Sequence, residues 1–144
     1  MSAATEIVSL LRLLVALDPL AKEGVECTLS VELVERADAN RFILRYEAAP
    51  RGGPFAAVEL RVPAAGATSE ETMLNLEVRK DAFATEDEID RALGHEGEIV
   101  DINPHKPPEG TVSYRHLLDQ RTVVVQCTAR SKRLVGISLR AATP

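Results

Sequence analysis

Long stretches of this chain alternate apolar and polar residues with a period of two, the mark of strands that bury one face. Val25, Cys27, Leu29, Val31 and Leu33 alternate with Glu26, Thr28, Ser30 and Glu32, which predicts a first strand. The segment Ala37-Asp38-Ala39-Asn40 can turn the chain. A second strand follows over Arg41 to Ala48, with Phe42, Leu44 and Tyr46 on one face. Pro50-Arg51-Gly52-Gly53-Pro54 breaks the pattern before a third strand over Phe55 to Val62. After a loop rich in Ala, Gly and Ser (Pro63 to Glu71), Leu74, Leu76 and Val78 mark a fourth. Three more strands are predicted over Thr111 to Leu117, Arg121 to Thr128 and Leu134 to Arg140. The last two form a hairpin with a basic tip, Arg130-Ser131-Lys132-Arg133.

Two segments follow the helical period instead. The first runs from Thr5 to Leu17 and stops at Asp18-Pro19, because the residue before proline is pushed out of the α region. Its apolar residues cover an arc of about 220°, well beyond the stripe of just over 100° that a surface helix needs. Either its own sheet wraps it on two sides, or its second face meets another chain. The second helix is short and starts near Thr85. Thr85-Glu86-Asp87-Glu88 has capping-box spacing and carries acids that suit the positive end of the helix dipole. Ile89, Ala92 and Leu93 form its apolar stripe, and Gly94 is placed to end it. From Gly94 to Gly110 neither period is present, which predicts an unusually long loop.

Consecutive strands with short connections pair antiparallel. Seven strands at about 4.8 Å spacing make a sheet roughly 30 Å across, too wide for one helix to cover. The expected fold is α+β: a mostly antiparallel, curled sheet of about seven strands wrapped on the N-terminal helix, with one short second helix. A sheet covered by a second copy of the chain is the rival arrangement. The 144 residues form a single domain in this reading, without internal repeats.

Composition adds little to the fold and more to the exclusions. Apolar residues make up 45% and aromatic residues 3%, so the core is aliphatic. No stretch is apolar enough to span a membrane, and the run Ile7 to Leu17 has Arg12 at its centre, which makes a poor export signal. The expected compartment is therefore the cytoplasm, where Cys27 and Cys127 are buried thiols on strands rather than a disulfide. Net charge is −5, with an acidic middle and a basic tail. Such asymmetry can order self-assembly or select a protein partner.

The search for chemistry is mostly negative. The chain has no Walker-type phosphate loop, GxGxxG, GxSxG, HExxH or CxxC. No cofactor is expected. The best candidates for a metal or acid–base site are His95, Asp101 and His105 in the 94–110 loop, with His116 on the strand after it. Their spacing matches no ligand motif, so a structural or partner-binding loop is the preferred reading. The basic tip could meet phosphates, but the acidic balance and the lack of an aromatic platform argue against nucleic acid. An apolar pocket inside the curled sheet would admit a small molecule, although it offers few polar anchors.

The order of an N-terminal helix, several strands, a second helix and more strands resembles that of bacterial secretion chaperones and of wrapped-helix folds of the cystatin and hotdog kinds. No motif carries this resemblance, and the chain lacks the C-terminal helix of the chaperones. No functional residue is transferred from it. The leading expectation is a non-catalytic protein-interaction or assembly domain, bacterial and cytoplasmic, chaperone-like or adaptor in kind and open to homodimer formation. Its interface candidates are Leu13, Leu17, Ile43, Met73, Arg130, Lys132 and Arg133. The alternative is a small enzyme, or a metal- or ligand-binding protein, that uses the 94–110 loop.

Overall fold

The computed structural model describes residues 2–38, 40–64, 72–119 and 121–140. Three helices, α1 (Ala3–Val15), α2 (Lys22–Leu29) and α3 (Glu86–Leu93), accompany eight strands. These are β1 (Val34–Arg36), β2 (Ile43–Ala48), β3 (Phe55–Pro63), β4 (Met73–Val78), β5 (Glu98–Asn103), β6 (Thr111–Leu118), β7 (Arg121–Thr128) and β8 (Leu134–Arg140). They form one open, wholly antiparallel sheet in the order β1-β2-β3-β4-β8-β7-β6-β5. The fold is thus α+β, as the alternation implies. Two four-stranded meanders, each preceded by helix, meet along β4 and β8. The predicted turn at Ala39 and most of the Pro63–Glu71 loop lie outside the described residues.

One face of the sheet carries the core. Val58, Leu60, Leu74, Leu76, Ile137, Leu139, Val123 and Val125 fall on it in register and are buried. They join Ile7, Leu11, Leu14, Ile89 and Leu93 of the helices in a single cluster. Helix α1 opens with a Ser2 cap whose Oγ accepts from the Thr5 backbone N–H. Of its broad apolar arc, Leu13 alone stays largely exposed, because α2 and α3 both pack on the helix. The opposite face of the sheet is polar, and its side chains bond to one another. Asn75 Nδ2 donates to Glu59 at 2.9 Å, Ser138 Oγ donates to Asn75 Oδ1 at 2.6 Å, and Lys106 Nζ donates to Gln126 at 2.8 Å.

Two expectations need correction. The segment expected as the first strand is largely helix α2, followed by irregular chain and the short β1. Val25 is buried and Leu29 packs against the core, four residues apart on one helical face, so the same residues satisfy both periods. Ser30 ends the helix in the left-handed conformation. Cys27 consequently lies exposed on α2, whereas Cys127 is buried in β7. The second correction is β5, inside the expected loop. A bulge between Ile99 and Asp101 shifts its phase, so its apolar residues do not alternate.

Candidate functional site: the β5 edge and the histidine pair beside it

Helix α3 sets the geometry of the second meander. Its capping box is complete: Thr85 Oγ1 accepts from the Glu88 N–H at 3.3 Å, and Glu88 Oε1 accepts from the Thr85 N–H at 3.0 Å. Ile89 and Leu93 point into the core, and Glu86 and Asp90 follow the neighbouring line of the helix toward β6 and β7. Gly94 closes the helix at φ 88°, in the left-handed region that glycine enters freely, and turns the chain back toward the sheet. Gly97 then crosses directly over β6. A Cβ there would stand 2.6 Å from His116 Nε2 and 2.8 Å from Tyr114 Cβ, so no larger residue fits without displacement.

This path brings His95 onto His116. Their Nδ1 atoms are 3.3 Å apart, with ring centroids at 5.1 Å and planes inclined by 49°. His116 is 1% exposed, whereas His95 faces solvent. On the other side of the His116 ring, Asp90 Oδ1 lies 3.4 Å from Nε2. That is ion-pair distance without hydrogen-bond alignment, and both atoms are left without a hydrogen bond. The Gly97 backbone N–H donates to the same carboxylate.

Burial dominates the electrostatics. It pushes the His116 pKa down to about 4, helped by His95, so the ring is neutral at pH 7. Burial, with Glu86 beside it, raises the Asp90 pKa. Tyr114 is raised by burial and by its hydrogen bond to Glu86, and the Cys127 thiol is pushed up to about 12 by burial and the same carboxylate. This buried cluster thus holds un-ionised phenol, thiol and imidazole beside two carboxylates. Unpaired polar atoms in such a place are uncommon in folded proteins and mark a strained or ligand-ready site.

Of the four expected ligands, the structure unites only His95 and His116. Asp101 sits exposed on β5 opposite Ser113, three residues along β6 from His116 and on the other face. His105 lies exposed in the turn after β5, where its backbone N–H donates to Asn103 Oδ1. Among the described residues, no three His, Cys, Asp or Glu side chains are gathered around a common point suited to a metal. Asp90 and Glu86 escaped the sequence reading because their position near the start of α3 already accounted for acids. Their i, i+4 spacing beside the Ile89–Leu93 stripe was the available signal.

The adjoining edge is half aliphatic. β5 is the last strand of the sheet, and every residue in it is exposed. Ile99 and Ile102 are 56% and 62% exposed and Val100 is 43% exposed, with Leu117 of β6 also largely exposed. Ile99 and Ile102 pair with Tyr114 and Val112, which places them on the core face beyond the reach of the helices. The expected interface residues lie elsewhere. Leu13 is 57% exposed on α1, Leu17 packs on α2 at Gly24, and Ile43 and Met73 are half-buried. At the basic tip, Glu109 Oε1 accepts from the Arg130 and Ser131 N–H groups, Lys132 pairs with Glu86 at 3.9 Å, and Arg133 stacks over Phe83.

No helix is long and apolar enough to cross a membrane among the described residues. Comparison with protein families, curated proteins and solved structures finds no match to this chain.

Proposed function

We propose that this chain is a non-catalytic assembly domain that pairs through the β5 edge of its sheet, with a second copy of itself as the partner. The observation that carries the reading is the six-residue edge strand with Ile99 and Ile102 more than half exposed. An edge strand offers unpaired N–H and C=O groups, and proteins usually blunt such an edge with charge, proline or brevity. β5 has no proline and is six residues long, and the blunting devices over its central residues are limited to Asp101 and the bulge beside it.

The sequence of β5 is also compatible with itself. Antiparallel pairing about a two-fold axis between Val100 and Asp101 sets Ile99 opposite Ile102 of the second copy, and Glu98 opposite Asn103. Two aliphatic pairs then form on one face, while the two Asp101 carboxylates approach each other beside the axis on the other face and oppose the pairing. The contact is small, so the association is expected to be concentration-dependent rather than permanent.

Light scattering over a dilution series tests this reading. The expected result is a monomer–dimer equilibrium that the double substitution Ile99→Lys/Ile102→Lys weakens at least tenfold. A strict monomer at every concentration, or a dimer indifferent to the double substitution, rejects β5 self-pairing.

A further inference from the structure

The assembly reading leaves the histidine pair unused. His116 is a fully buried imidazole with one unpaired nitrogen, and His95 is an exposed imidazole placed over its other nitrogen. The Nε2 atom of His116 has no hydrogen-bond partner, and its Nδ1 meets the second imidazole. Here the Nδ1 atoms face each other at 3.3 Å, so at most one of them can carry a proton between the rings.

We infer that His95 and His116 together form a transition-metal site, with their Nδ1 atoms as the two protein ligands and zinc(II) as the ion that the spacing suits. Tetrahedral zinc binds imidazole nitrogen at about 2.0–2.1 Å, which sets two such nitrogens about 3.3–3.4 Å apart. The observed separation of 3.3 Å matches this spacing. The Asp90 carboxylate stands behind His116 at Nε2, where carboxylates commonly back a metal-bound imidazole. His95 at the rim gives an ion its path from solvent. Glu96, Glu98 and Arg115 line the same recess, and Glu98 pairs with Arg115 at 2.7 Å, which leaves a net negative charge from Glu96. Two imidazoles leave the remaining coordination positions to water, so the site is open and binds less tightly than a closed four-ligand centre.

The test uses the full chain, stripped with chelator and carrying Cys27→Ser, because the exposed thiol is a competing zinc ligand. Zinc(II) is titrated in by calorimetry into this protein and into its His95→Gln and His105→Gln derivatives. The expected result is one equivalent bound by the parent and by His105→Gln, and binding at least tenfold weaker in His95→Gln. His95 is exposed, so its replacement leaves the fold intact, as a thermal melt will verify. No binding by the parent, or binding unchanged by His95→Gln, overturns the inference.

Discussion

The two edges of the sheet solve the same problem in different ways. At one edge, β1 has three residues, and the strands beside it carry a lattice of charge. Arg45 reaches Glu47 at 2.8 Å, Glu59 at 3.6 Å and Asp38 at 3.8 Å, and Arg61 reaches Asp38 at 3.5 Å. At the other edge, β5 is twice as long and carries Ile99, Val100 and Ile102 around a single charge at Asp101, and Arg115–Glu98 is the ion pair found beside it among the described residues. A short, charged edge discourages further strands, whereas a longer apolar one invites them. The unpaired buried atoms of Asp90 and His116 also belong to the β5 side. Unpaired buried atoms also occur at Arg45 and Arg61, and Val34, Phe42 and Leu44 are exposed in the first meander, so the two halves differ in the length and aliphatic content of their edge strands rather than in exposure as such.

Three substitutions or conditions sharpen that contrast. The largest effect is expected from comparing apolar residues of the two meanders. Leu60 of β3 is fully buried, and Leu60→Ala should cost about 2–5 kcal/mol in denaturant unfolding of the monomer. Ile102→Ala, at the exposed edge, should cost no more than about 0.5 kcal/mol. An equal cost at both positions would mean that β5 is part of the monomer's core, and the contrast would fail.

Acid should act mainly on the β5 half. Unfolded, His116 titrates near 6.5, and folded near 4. Between those values the unfolded chain takes up the proton first, so stability is complete above about pH 6.5 and falls as the pH drops toward 4, by roughly 2–3 kcal/mol. Asp90 acts in the opposite sense. Its raised pKa means that protonation relieves a buried carboxylate and returns part of the loss. Urea unfolding at pH 7 and pH 5 in metal-free buffer, for the parent and His116→Gln, measures this. His116→Gln should show a flatter profile, and an unchanged slope would assign the acid sensitivity to other groups.

The smallest effect is expected at the β1 edge. Arg45→Ala removes the centre of a half-exposed charge lattice and should cost about 1 kcal/mol or less, diminishing with added salt. A larger cost, insensitive to salt, would make the lattice a structural support rather than a charged fence.

Sequence periodicity was informative where one face was buried and the pairing was regular. The strands β2, β3, β4, β6, β7 and β8 all follow the alternation, and α3 is bounded by Thr85 and Gly94 as its end signals imply. It was uninformative where tertiary context chose between two readings. Val25 and Leu29 fit a strand and a helix equally well, and the need of α1 for cover on a second side decides for the helix. β5 was hidden by its bulge and by the lack of any buried face. In the site, the histidines stood out by residue type. Their convergence depends on the left-handed turn at Gly94 and the close pass of Gly97, neither of which leaves a periodic trace.

The strand order has a consequence for how the molecule comes together. Every ladder but one joins strands that follow each other in the chain, and the exception is β4 with β8. Each meander can therefore assemble from local contacts, at small entropic cost for closing its short turns. The seam between β4 and β8 must close a far longer stretch of chain for a single ladder of bonds. That one ladder, with the side chains stacked over it, is what welds two locally formed halves into one cooperative unit.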